Sequence, residues 1–381
     1  MVYLDNASTT FPKPECVYQA MDETNRKIGV NAGRGSYKVA REASAIITDT
    51  KNEIRKLIHA DSSAAVVFSP SVTIALNQVV NGINWQKGST VYVSPYEHNA
   101  VARTLKKVAD DYGLNICLLP VKIESLEIDL EKLKYDFSKD KPVAVFCTHV
   151  SNVTGYILPI KEIFEEAKKY NAITILDSAQ SLGLIQIDSK QLDVDIIAFA
   201  GHKTLYGPFG IGGFVNLSGI KLNEFITGGT GSDSLNLNMP TGREEKYEAS
   251  SSNIVAIAGL NVALKNLDVE ANYKYEWGLT KYLIEQLKEI KTVHMYLPGD
   301  SKKHVGIVSF ICEGINSEDV GTILDEDFDI AVRTGYHCAP YIHDYLKDKD
   351  SLGTVRVGLS KFNIEADIDK LVKALIEIIE G

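Results

Sequence analysis

No stretch of eighteen uninterrupted apolar residues occurs in the chain, which excludes a conventional membrane-spanning helix. The opening residues, MVYLDNASTT, have no charged segment leading into an apolar one, so no secretory leader is expected and the expected compartment is the cytoplasm. Basic clusters are also missing. Forty Lys and Arg face fifty Asp and Glu, giving a formal net charge of -10, so nucleic acid is not an expected partner. Cysteine is sparse: Cys16, Cys117, Cys147, Cys312 and Cys338 are scattered, odd in number and free of CxxC spacing. That pattern suggests neither a disulfide framework nor a zinc site, and no metal is expected. Low-complexity tracts, short repeats and a Pro/Gly/Ser-rich linker are absent as well, so any domain boundary is soft.

What is present is a long alternation. At 381 residues the chain is large enough for one big domain and a smaller one. From residue 65 the runs AVVFS, STVYVS, NICLLP, VAVFCTH, ITILDS, DIIAFAG and IGGFVNL read as strands, and several lack polar alternation, as strands covered on both faces do. Between them VTIALNQVVNGI, NAVARTLKKVADDYG and LPIKEIFEEAKKYN read as crossover helices, the last opened by Pro159 and closed near Asn171. An α/β fold with a mainly parallel sheet follows. Two amphipathic helices, one carrying Ala43, Ile46, Ile47, Ile54, Leu57 and Ile58 and the other Ile368, Leu371, Val372, Leu375, Ile378 and Ile379, read as core packing. After about residue 260 the order becomes helix, strand, helix. The expected division is a large α/β domain over 15–260 and a small α+β domain over 261–381 joined by residues 1–14, with a long helix bridging the join.

In open α/β sheets ligands gather beyond the carboxyl ends of the strands. Several polar residues lie there: His98, Asn152, Asp177, Gln180, His202 and Lys203. Singly, each has an ordinary explanation as a cap, a packed ring or a solvated charge. Together they suggest a lysine that meets an aldehyde, because a desolvated amine is a nucleophile toward carbonyls and pyridoxal phosphate is the common aldehyde held this way. Such a ring needs an anion at its pyridine nitrogen, and a pair of charges about 4 Å apart is worth roughly 4 kcal/mol at an effective dielectric near 20. Asp177, twenty-six residues before Lys203, is the candidate. His98 is placed to stack on the ring, and the amides of Asn152 and Gln180 to bond its phenolic oxygen. The phosphate would sit at the helix start in SPSVTIALN, near Ser71 and Thr73, with His202 as a further contact.

These residues sit in blocks that resemble a known family. YLDNASTT, NAGRGS, EHNA, SNVTG, DSAQS, GHKTLYGPFGIGG, GGTGSDS, YEASSSN, RTGYHCAP and GTVRVGLSKFN are similar to the class V aminotransferase branch of fold type I pyridoxal phosphate enzymes, specifically the cysteine desulfurases and selenocysteine lyases. The resemblance implies pyridoxal 5'-phosphate on Lys203, with Asp177, His98, Asn152, Gln180, Thr73 and His202 around it. It implies L-cysteine as substrate, its carboxylate met by Arg356, with Arg333 and Asn152 alongside. Cys338 would take the sulfur as a persulfide, its thiol activated by the positive charge of Arg333 and of adjacent His337. A homodimer is implied, with Ser251 reaching the partner's phosphate, and so is a sulfur-acceptor protein: cluster scaffold, tRNA-modifying enzyme or another carrier. The chain departs from the pattern at Ala200 and Val72, where hydroxyl residues are frequent, at Ser36 in place of a histidine, and at ASSSN in place of GTPN. Alternative chemistries on the same scaffold are selenocysteine lysis, cysteine sulfinate desulfination or another class V reaction. Ala200 and Val72 keep a non-catalytic sulfur carrier or scaffold in view as a reading of another class.

Overall fold

The computed structural model describes residues 1–32, 35, 37–232 and 234–380; the departure noted at Ser36 lies outside them. The chain starts with β1 (Val2–Tyr3), then α1 (Glu15–Lys27) and α2 (Lys38–Leu57). The alternation follows: β2 (Ala65–Ser69), α3 (Val72–Gly82), β3 (Thr90–Val93), α4 (Asn99–Tyr112) and β4 (Asn115–Leu118). A short hairpin, β5 (Val121–Lys122) and β6 (Glu127–Ile128), leads to α5 (Leu130–Lys139), β7 (Pro142–Thr148), α6 (Ile160–Lys168), β8 (Ile173–Asp177), β9 (Ile196–Ala200) and β10 (Gly212–Asn216).

The seven runs read as strands form one seven-stranded sheet in the order β2-β10-β9-β8-β7-β3-β4. The four pairs from β4 to β9 are parallel, while β10 runs antiparallel to both β9 and β2. Every residue of β9 and β10 is buried. The reason is two-sided cover. One face packs Tyr92, Val145, Leu176 and Ile197 under α5, α6 and a later helix, α7 (Ile254–Lys265), and the other packs Val91, Phe146, Ile175 and Ala198 under α3 and α4. Phe164 and Phe199 are fully buried, and each such ring contributes roughly 1.5–3 kcal/mol through burial.

One edge of the sheet is β2, whose outward N–H groups have no strand to meet. Two carboxylates take them: Val66 N donates to Glu244 Oε1 at 2.9 Å and Phe68 N to Glu248 Oε1 at 2.7 Å. Lys51 on α2, only 7 % exposed at its side chain, holds both acids at 2.7 and 2.9 Å, and Arg55 adds a second contact to Glu244. Charge and a covering segment thus block edge-to-edge pairing.

Helix α7 (Ile254–Lys265) packs on α1 and α2; a three-residue turn then leads to α8 (Val269–Lys288), which packs on the next sheet and on the last helix. That second sheet is antiparallel, β11 (Val293–Met295), β12 (Ile307–Cys312), β15 (Thr354–Gly358) and β14 (Arg333–Gly335) in spatial order, with α9 (Ser317–Glu326), β13 (Ile330–Ala331), α10 (His343–Leu346) and α11 (Glu365–Glu380) completing the chain. Its core gathers Leu279, Leu283, Val308, Phe310, Val355, Leu371 and Leu375 around Leu4. Leu4 comes from the far end of the chain because β1 pairs in parallel with β13.

Candidate active site

A cavity of about 210 Å³ opens where the carboxyl ends of the parallel strands face the second sheet. Three of its walls are strand ends. Asp177 closes β8, paired in register with Thr148 at the end of β7, and Lys203 follows β9 by three residues. The second sheet supplies Arg356 from β15 and Arg333 from β14, and the N-terminal segment supplies Ala7 and Ser8. The structure therefore brings together Lys203, Asp177, His98, Asn152, Gln180, Thr73, His202, Arg333 and Arg356 around one space.

Lys203 reaches the cavity through a loop tied down by backbone bonds from Tyr206 N to Lys203 O (2.8 Å) and from Thr10 Oγ1 to the same oxygen (2.8 Å). The loop lies tight against its neighbours. A Cβ on Gly212 would come within 2.8 Å of both Phe199 O and Val72 N, so only glycine lets β10 pass the start of α3. Burial pushes the Lys203 amine down to about 8, with Arg356 and Arg333 lowering it further and Asp177 opposing. Asp177 is itself driven upward by burial, opposed by the Ala179 N–H bonded to Oδ1 at 2.9 Å and by Lys203. His98 caps α4, its Nδ1 accepting from Ala100 N at 3.0 Å, and burial with nearby Lys203 keeps the ring neutral at about 4. His202 stacks on Phe209 with centroids 4.6 Å apart, and burial holds it at about 3.

Pyridoxal phosphate fits what these residues lack. Asp177 is a deeply placed acid short of positive charge, a deficit that a cationic ring nitrogen would relieve. His202 Nδ1 and Arg356 Nε are buried and find no partner among the described residues. At the start of α3 the Ser71 hydroxyl caps Ile74 N at 3.3 Å, while Val72 and Thr73 face the cavity from the first turn, where helix N–H groups suit an anion. The amides of Asn152 and Gln180 are already engaged, donating to His337 O at 2.7 Å and to Ala7 O at 2.8 Å, which leaves one N–H of each for a ring substituent. No three His, Cys, Asp or Glu side chains among the described residues group to hold a metal ion.

Arg356 is 2 % exposed and only partly free. Its Nη2 bonds Asp5 Oδ1 at 2.8 Å and Ser8 Oγ at 3.0 Å, and Nη1 bonds Asn152 O at 2.9 Å. Asp5 and Ser8 were not singled out as site residues from the sequence, although both lie in the YLDNASTT block. Nothing local marks them, since they meet the arginine across 351 and 348 residues of chain. Glu97 also escaped notice. It is fully buried beside His98, bonded by Ser94 Oγ at 2.6 Å, and burial raises it to about 8, so it stays protonated at neutral pH.

Cys338 lies one step away, lining a neighbouring cavity with Asn99, Arg103, Tyr336 and His343. Arg333 connects the two spaces, lining the first while its Nη2 donates to Cys338 Sγ at 3.5 Å. The expectation that His337 adds positive charge to the thiol is corrected: the ring is 3 % exposed, and burial with the nearby arginines holds it well below the usual histidine range, so it is neutral. Both His337 (φ 47°) and Cys338 (φ 58°) sit in the left-handed region, the two central residues of a turn closed by Ala339 N to Tyr336 O at 3.0 Å. Such a conformation costs non-glycine residues on the order of 1–3 kcal/mol each, so the surroundings must hold it. Burial raises the thiols of Cys117, Cys147 and Cys312. Ser251 is not brought to this site within the chain. It is exposed, accepts from Asn31 Nδ2 at 3.1 Å, and lines a separate cavity of about 460 Å³ walled by Phe68, Gln78 and Ile226.

The chain belongs to the class V aminotransferase family, whose sequence model, described as aminotransferase class-V, matches residues 2–371. Within it, the relatives carry a narrower name. A protein of Halalkalibacterium halodurans named "Probable cysteine desulfurase" is 34% identical over 98% of this chain and 92% of its own length. A cysteine desulfurase of Wigglesworthia glossinidia brevipalpis is 29% identical over 99% of this chain and 92% of its own. Among solved structures, the apo cysteine desulfurase of Thermococcus onnurineus superposes with a TM-score of 0.91 at 29% identity, covering 100% of this chain and 95% of that one. The Escherichia coli cysteine desulfurase CsdA, solved with an S-sulfonic acid, gives 0.87 at 25% identity, covering 99% and 94%.

Proposed function

We propose that this chain is a pyridoxal phosphate-dependent cysteine desulfurase that converts L-cysteine to L-alanine and holds the sulfur on Cys338. The observation that carries the reading is Arg333, which spans from the Lys203 cavity to the Cys338 sulfur. When bound, pyridoxal phosphate supplies an electron sink for the pair left at the substrate α-carbon. Lys203 would hold it and Asp177 would face its ring nitrogen; His98, Asn152, Gln180, Thr73 and His202 would line it. An amine held at about 8 is partly unprotonated at neutral pH, so Lys203 is suited to take the α-proton. Arg356 and Arg333 offer N–H groups for the substrate carboxylate, the geometry a guanidinium matches better than an ammonium. The Cys338 thiolate attacks the substrate sulfur: the new S–S bond is a persulfide, the C–S bond breaks with its electron pair passing to the three-carbon fragment, and that fragment takes a proton at the carbon that bore sulfur, regains its α-proton and leaves as alanine.

The large unit over 15–260 carries the lysine, and the small unit over 261–381 with residues 1–14 carries Cys338 and both arginines. A homodimer is part of the reading. Phe209, Phe225, Leu235 and Leu237 are exposed, and a second copy covering them would bring Ser251 toward the partner's cofactor. A sulfur-acceptor protein then consumes the persulfide. The test is the Cys338→Ser variant. It is expected to bind the yellow cofactor as the parent does and to form no protein persulfide from L-cysteine; sustained persulfide turnover by that variant would refute the assignment.

A further inference from the structure

A buried histidine–aspartate pair lies behind the turn that carries Cys338, and nothing in the chemistry above uses it. His343 at the start of α10 and Asp348 just after that helix are 2 % and 1 % exposed. His343 Nδ1 meets Asp348 Oδ2 at 2.6 Å, and Nε2 meets the carbonyl oxygen of Tyr336 at 3.0 Å. Both ring nitrogens are therefore engaged, and the one facing Tyr336 O must donate, because a carbonyl oxygen can only accept.

Tyr336 O is the oxygen that closes the strained turn, since it also accepts from Ala339 N. The remaining ties hold the middle of the turn: Asn99 N donates to Cys338 O at 2.7 Å, Asn152 Nδ2 to His337 O at 2.7 Å, and His337 Nε2 lies 2.8 Å from Thr354 Oγ1. The His343 ring additionally packs edge-on against Tyr336, centroids 5.0 Å apart. His343 is thus a buried strut on the first residue of a turn whose two central residues do not favour their own backbone conformation.

The geometry points to His343, held by Asp348, as a positioning residue that pins the 336–339 turn so that Cys338 is presented toward the substrate sulfur. This rests on the reading of Cys338 as the sulfur-accepting thiol. A displacement of about 1 Å in a reacting atom costs on the order of a hundredfold in rate, so releasing the strut is expected to slow sulfur transfer without touching the chemistry at Lys203.

The experiment compares the parent with His343→Phe, His343→Gln and Asp348→Asn. Three quantities are read: single-turnover persulfide formation on Cys338 from L-cysteine, exchange of the L-alanine α-proton with solvent deuterium, and amide hydrogen exchange of the peptides containing Ala339 and Asn99. His343→Phe is expected to slow persulfide formation by about 10–100-fold. It should leave alanine exchange within about twofold and speed amide exchange of both peptides by at least about tenfold. His343→Gln, which keeps an N–H for Tyr336 O, should recover most of the persulfide rate. Asp348→Asn, which replaces the carboxyl facing His343 Nδ1 by an amide of equal size, should fall between. Persulfide formation unchanged in His343→Phe, or a loss shared equally by alanine exchange, overturns the proposal. If the parent itself forms no persulfide, the functional reading fails separately, and the amide-exchange comparison alone decides whether His343 pins the turn.

Discussion

Lys203 should destabilise the protein when the cofactor is absent. Its amine is held at about 8 against an ordinary 10.5, because burial disfavours the ammonium. The difference of two and a half pH units, at about 1.36 kcal/mol each, sets a ceiling of roughly 3 kcal/mol, reduced because the side chain is partly exposed to the cavity. The sign is fixed by linkage: between about 8 and 10.5 the unfolded chain binds more protons than the folded one, so stability rises with pH through that window. Below it the penalty is present in full. Replacing Lys203 with Met is therefore expected to raise the thermal midpoint of the cofactor-free protein at pH 7, with the gap over the parent shrinking as pH approaches 10. Differential scanning fluorimetry across that range reads it. A variant no more stable at pH 7, or a gap that widens with pH, would refute the reasoning.

Asp177→Asn removes the anion facing the proposed ring nitrogen, an interaction worth roughly 4 kcal/mol at short range, and should lower alanine production from cysteine by about 100–1,000-fold while the protein stays folded by circular dichroism. Glu276 lies buried under Tyr206, whose hydroxyl donates to it at 2.9 Å, and burial raises it to about 8. Because the folded acid keeps its proton while the unfolded one loses it above about 4.5, its contribution falls as pH climbs from there to 8. Glu276→Gln should match the parent near pH 5 and exceed it by about 1–3 kcal/mol at pH 8 in urea melts. Lys51→Met removes the lysine shared by Glu244 and Glu248 at the sheet edge, leaving Glu244 with Arg55 as its cation; a cost of about 1–3 kcal/mol and light-scattering growth on mild heating are expected, and a stable, monodisperse variant would count against the edge role.

The main sheet was legible in the sequence because each strand is a short apolar run covered on both faces, and because Pro159 and the left-handed Asn171 mark the limits of α6. Strand direction was less so. Nothing in IGGFVNL distinguishes the antiparallel β10 from its parallel neighbours, since burial on both faces erases the alternation that would signal it. The strand-end residues could be named as a set because one topological rule places them together. Asp5, Ser8 and the Lys51–Glu244–Glu248 cluster could not, since each depends on contacts across nearly two hundred residues or more. His337 was misjudged for a different reason: its charge is set by how deeply it is buried, and adjacency to Cys338 says nothing of depth.

The ion pair between Asp5 and Arg356, with Ser8 bonded to both arginines, has a bearing on synthesis. The residues of the pocket lie far apart along the chain, so a ribosome releasing about 5–20 residues each second emits Lys203, the lysine proposed to hold the aldehyde, well before Arg356, the guanidinium proposed to meet a substrate. A nascent chain stalled short of residue 356 would carry a reactive amine with no means of choosing what reaches it. Catalytic competence would thus arrive abruptly, late in translation, rather than growing with length.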